Sequence, residues 1–117
     1  MKMLLSKSDI LAVPLKTKDI EIPDLGTVRI QELKGRQRDD FERSTAQGQK
    51  ANNDFRKLRA KLVVASLVNE DGTLMFVESE IDTVNEKFSA KVLDLLFMEI
   101  LTFNGMTQAA SDEQEKN

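Results

Sequence analysis

Apolar residues recur at every second position in one stretch of the chain, between Lys18 and Gln31, and at three- and four-residue intervals nearly everywhere else. Ile20 and Ile22 alternate with Asp19 and Glu21, and Val28 and Ile30 alternate with Arg29 and Gln31. Pro23-Asp24-Leu25-Gly26 separates the two runs. A period of two places one set of side chains on one face of a strand, so these residues predict a β-hairpin, with Gly26 free to adopt a positive φ at the turn. Two strands alone are marginally stable in water, so the isoleucine face must rest on helices. The fold class that follows is α+β and mainly α-helical: an N-terminal hairpin packed on about four helices.

The helical segments differ in how much they can bury. Ser6-Lys7-Ser8-Asp9 has the spacing of a capping box, and Ile10-Leu11-Ala12-Val13 gives it one turn before Pro14 ends it. Residues 36–47 are polar and helix-compatible, with Phe41 as their large apolar residue, and residues 47–53 have the composition of a mobile loop. Phe55, Leu58, Leu62 and Ala65 then share one face of a helix, whose end, residues 62–68, is apolar on all sides except Ser66 and should be deeply buried. Asn69-Glu70-Asp71-Gly72 marks a turn, and Leu74-Met75-Phe76-Val77 reads as a loop anchored through Phe76. Ile81, Val84 and Phe88 suggest a short helix. Residues 89–104 form the longest and most apolar one, ended by Gly105. From Met106 the chain is polar and acidic without apolar periodicity, which predicts one domain over residues 5–105 and a disordered tail over 106–117.

Composition removes several kinds of chemistry. The 117 residues include no Cys and no His, so thiolate and imidazole metal ligands, cysteine nucleophiles and the commonest general base near neutral pH are absent. Adjacent carboxylates such as Asp39 and Asp40 do not face one another on a helix, and the chain has no glycine-rich phosphate loop. Asn69-Glu70-Asp71-Gly72 lacks the alternating ligands and closing Glu of a calcium loop. No enzyme activity, cofactor or metal is therefore expected. No signal peptide or membrane-spanning run is recognised, because Asp94 and Glu99 interrupt the strongest apolar stretch, so a soluble cytoplasmic protein is expected.

The net charge of −3 is unevenly spread. Residues 34–61 hold nine Lys/Arg against four Asp/Glu, and residues 69–117 hold three against eleven. The basic stretch has interleaved acids and no Tyr or Trp on which bases could stack, so nucleic acid is not expected. The separation reads either as solvated helix faces or as a means for the basic part of one copy to meet the acidic part of the next, in an open head-to-tail spiral. On the last helix, a projection at 100° per residue places Leu95 and Met98 among Asp94, Glu99 and Thr102. Isolated apolar residues on a surface helix are common, so they read either as ordinary surface or as a protein-binding face. Leu95 and Met98, with the basic Arg56, Lys57, Arg59 and Lys61, are the candidate protein-binding residues.

Taken in order, Leu5-Ser6-Lys7-Ser8-Asp9-Ile10-Leu11, Ile20-Glu21-Ile22-Pro23 with Gly26-Thr27-Val28-Arg29-Ile30-Gln31-Glu32-Leu33, Arg38-Asp39-Asp40-Phe41-Glu42, residues 62–72 and Phe76-Val77-Glu78-Ser79-Glu80-Ile81 resemble the tail assembly chaperones of siphophages. These are patterns of core and turn residues, and their order and spacing carry the likeness. The resemblance implies a protein of the infected host's cytoplasm that binds the tape measure protein, keeps it soluble and helps recruit tail tube protein, while staying out of the mature virion. It also implies a longer form made by ribosomal frameshifting, through which the tube protein is contacted. The alternative is a structural connector or tail-completion protein retained in the virion.

Overall fold

The computed structural model describes residues 4–51 and 57–106. Its elements run α1 (Lys7–Leu11), β1 (Thr17–Ile22), β2 (Gly26–Gln31), α2 (Gly35–Ala51), α3 (Leu58–Ser66), β3 (Leu67–Val68), a 3-10 turn at Glu78–Glu80, α4 (Ile81–Lys87) and α5 (Ala90–Phe103). The alternating pattern forms the expected hairpin, in register Thr17↔Gln31 through Ile22↔Gly26. Its turn is closed by the Leu25 N–H donating to the Ile22 carbonyl at 3.0 Å. Pro23 supplies the fixed φ of the first turn position, and Asp24 takes the left-handed one, with φ 66°.

The sheet has a third strand that the hairpin reading did not contain. Leu67 and Val68 leave the end of α3 and pair antiparallel with β2, Ile30 opposite Leu67 and Arg29 opposite Val68. The order β1-β2-β3 puts β2 at the centre. Residues 47–51, expected in a loop, continue α2, and residues 52–53 lie outside the described residues. A single Gly48 costs a helix only about 1 kcal/mol, too little to end one by itself. Of the tail expected over residues 106–117, Met106 donates its N–H to the Leu101 carbonyl at 2.7 Å, and residues 107–117 lie outside the described residues.

One face of the sheet packs on α3 and α5. Ile20, Ile22, Ile30, Ala60, Leu62, Val63, Leu67, Val84, Leu93, Leu96 and Ile100 form a single buried cluster. Ser89 caps α5 by accepting from the Val92 N–H at 3.1 Å, and Asn104 and Gly105, the latter at φ 68°, end it. Asn104 also binds the segment ahead of α2: its Oδ1 accepts from the Leu33 N–H at 3.0 Å while its Nδ2 donates to the Ile100 carbonyl at 2.8 Å.

One polar group sits inside this core. Ser66 is fully buried, and its hydroxyl finds no hydrogen-bond partner among the described residues. A buried hydroxyl without a partner carries its full desolvation cost, so Ser66→Ala will raise stability by about 1 kcal/mol, read as a higher urea midpoint at unchanged slope. A lowered midpoint would show that the hydroxyl has a partner in solution.

Candidate protein-docking groove

Three segments far apart in sequence enclose an open groove of about 600 Å³. The first turns of α2 form one wall, and Gln37 fixes them. Its Oε1 accepts from the Lys34 N–H at 2.8 Å, satisfying a donor ahead of the helix, and its Nε2 donates to the Ala65 carbonyl at 3.3 Å near the end of α3. One turn on, Phe41 packs against Phe97 of α5 with ring centroids 6.3 Å apart. The floor is α3, through Leu58, Leu62 and Ala65.

The second wall is the segment after the Asn69–Gly72 turn. Asp71 Oδ1 accepts from both the Thr73 hydroxyl, at 2.6 Å, and the Thr73 N–H, at 3.0 Å. These bonds, the hydroxyl's first, hold the Asp71 carboxyl below its ordinary pKa. The Met75 N–H donates to the Leu67 carbonyl at 3.0 Å, and Leu74 bridges to Val68, which ties the segment to β3. Phe76 turns inward to meet Phe88 edge-on at 6.0 Å, as the sequence suggested. Glu80 then reaches back to accept from the Val77 N–H at 2.9 Å. This leaves Leu74 46% and Val77 58% exposed along the lip of the groove.

The groove therefore has an apolar lining, Phe41, Leu62, Leu74, Phe76, Val77 and Ile81, and a charged rim of Arg36, Arg43, Lys61, Asp40 and Glu78. The Asp residues held below their ordinary pKa elsewhere, Asp9 by the Ser6 backbone and Asp19 by Arg29, are exposed and engaged locally. Among the described residues no three or more His, Cys, Asp or Glu side chains are grouped to hold a metal ion. No helix among them is long and apolar enough to cross a membrane. A concave apolar surface with charges of both signs around it is suited to an amphipathic segment of another polypeptide.

The residues singled out from the sequence are distributed differently. Lys61 lines the groove. Lys57 pairs with Asp82 of α4, and Arg59 pairs with Asp94 of α5 at 2.6 Å while lying 5.9 Å above the Phe97 ring. Part of the charge separation along the sequence is thus closed within one chain. Arg56 lies outside the described residues. Leu95 does not share an exposed face with Met98: it is half-buried against the core, and Met98 alone is 52% exposed. The reason is that α5 is covered on two sides, by α3 and by β1, where Lys18 approaches Glu99 at 3.6 Å. Its covered arc is wider than the simple projection allowed, and Lys91, Asp94, Met98 and Thr102 are left outward.

The sequence carried one signal for the groove that its periodicity did not convey. Leu74-Met75-Phe76-Val77 is an apolar run in which one residue anchors the loop, so the others must find cover or stay exposed.

No protein-family model matches the chain, and no curated protein matches it. In structure it is similar to the tail assembly chaperone of bacteriophage HK97, with a TM-score of 0.60 over 75% of this chain and 84% of that one, at 18% identity. At that identity the shared property is the fold. It is the fold of the family that the order of core and turn residues resembles.

Proposed function

We propose, starting from the fold shared with the HK97 tail assembly chaperone, that this protein is itself a tail assembly chaperone of a bacteriophage. The observation that carries the reading is the groove between α2, α3 and residues 74–81, an open surface with an apolar lining. The client is the phage's tape measure protein, a long helical polypeptide whose apolar stripes would otherwise associate. An amphipathic helix laid along the groove buries its stripe against Phe41, Leu62, Leu74 and Phe76, and its charged flanks meet the mixed rim. The finer points implied by the family resemblance belong to the same reading: work in the host cytoplasm, absence from the virion, self-association along the client, and recruitment of tail tube protein through a longer frameshifted form.

Co-expression with the tape measure protein tests it. The client should move from the pellet to the supernatant and co-purify with this chain, and this chain should be missing from purified virions. A client that stays insoluble, with this chain present in virions, would replace the reading with that of a structural connector or tail-completion protein.

A further inference from the structure

The charges around the groove are sorted by wall. On α2, Arg36, Asp40 and Arg43 follow one another at four- and three-residue spacing, which lines them along one helix face over two turns, about 10 Å. Asp40 is engaged with Arg43 at 3.7 Å, so it balances part of the charge of that guanidinium and leaves Arg36 to itself. Lys61 adds a cation from α3. The opposite wall gives the lining a single charge among the described residues, Glu78. Arg36 and Glu78 are both exposed, and neither has an ion-pair partner among the described residues.

The groove also has two distinguishable ends. Gln37, next to Arg36, donates to the Ala65 carbonyl, so the start of α2 lies at the finish of α3. Further along α2, Phe41 meets the same Phe97 ring that Arg59 covers from the start of α3. The two helices therefore run in opposite senses, with Gln37 and Ala65 at one end of the groove and Arg43 and Leu58 at the other. A helix whose apolar stripe faces α3 has two ways to lie between these ends, related by a half-turn about the perpendicular to the floor. Either way the stripe is buried against α3. The half-turn reverses the direction of the bound chain and exchanges its two flanks between the walls. When one flank is acidic and the other basic, one arrangement sets acids against Arg36 and Arg43 and bases against Glu78, and the other sets like charges together.

We infer that the opposed charges of Arg36 and Arg43 on one wall and Glu78 on the other fix the direction, N-terminus to C-terminus, in which a helical client lies in the groove. The segment that fits has acidic residues two turns apart on one flank of its apolar stripe and basic residues on the other. This rests on the groove taking a helical client, and it adds which segment and which way round. Apolar contact holds the client, and charge chooses its direction. Exposed pairs are individually weak, so the preference is the sum of the pairs gained one way and the like-charge contacts avoided the other, about tenfold.

The test uses two synthetic helical peptides of four turns, about 21 Å long. They share a leucine stripe, and the acidic and basic flanks of one are exchanged in the other. Each carries a nitroxide at its N-terminus and is added to the isotope-labelled full chain, whose amide resonances are followed for paramagnetic broadening. One peptide should broaden Gln37 and Ala65, and its exchanged counterpart Arg43 and Leu58, with the favoured direction about tenfold more populated in each case. In Arg36→Glu/Arg43→Glu/Glu78→Lys the two peptides should trade ends; all three positions are exposed, so the fold is kept, which circular dichroism confirms. High salt should even out the two ends while the peptides stay bound, because it screens exposed charges and spares apolar contact. Equal broadening of both ends at low salt, or ends that stay the same in the triple variant, would overturn the inference and leave the groove as a docking site. Broadening away from the groove, or none, would overturn both.

Discussion

Ile30→Ala will lower the stability of this protein by about 3–4 kcal/mol, within the range for truncating a large aliphatic side chain in a core that cannot collapse around the gap. Ile30 is fully buried on the central strand, pairs across the sheet with Lys18 on one side and Leu67 on the other, and points into the cluster built by α3 and α5. Strands on both sides hold the backbone at this position, so the cavity persists. A domain of this size has a total stability on the order of 5–15 kcal/mol, and the loss takes a large share of it. Urea denaturation should show a much lower midpoint at unchanged slope. Val28→Ala, on the same strand but half-buried, should cost clearly less. Equal losses at the two positions would mean that β2 does not lie at the centre of the packing described.

The second large effect concerns binding. Leu74→Lys/Val77→Lys should leave the urea midpoint nearly unchanged, since both side chains already face solvent along the lip of the groove, yet weaken capture of the tape measure protein at least about tenfold. Two ammonium groups would have to be desolvated where the client's apolar stripe should lie, and a lysine stem gives back only part of the lost contact. Met98→Lys is the matching control. It too replaces an exposed apolar residue, but on the outer face of α5, away from the groove, and it should retain client. Retention of client by the groove variant together with its loss in Met98→Lys would move the docking surface to α5.

These predictions rest on features that were unequally legible in the sequence. The hairpin could be read because its signal is local: Ile20, Ile22, Val28 and Ile30 alternate within a dozen residues and share one turn. Helix α5 was equally plain from its apolar arc and its terminal Gly105. Strand β3 was not, because Leu67-Val68 continues an apolar helix in every local respect. Its strand character comes from pairing with Arg29 and Ile30, which are distant in sequence. Leu95 was misplaced for a related reason, since a helical projection does not know how many neighbours cover the helix. The groove was the least legible part. It needs Phe41, Leu62 and Val77 to meet, from three segments that share no repeat, and only the uncovered apolar run at 74–77 hinted that one of them was unfinished. The basic residues drew attention as a charge block, but Lys57 and Arg59 turn to Asp82 and Asp94 of their own chain, while Lys61, with Arg36 and Arg43 from the same block, lines the groove.

The most direct test of the groove as the working surface is a pull-down of co-expressed tape measure protein on wild type, Leu74→Lys/Val77→Lys and Met98→Lys, with the soluble client quantified against the bait. The account predicts abundant client on wild type and Met98→Lys and at most about a tenth as much on the groove variant. Equal recovery on all three would contradict it.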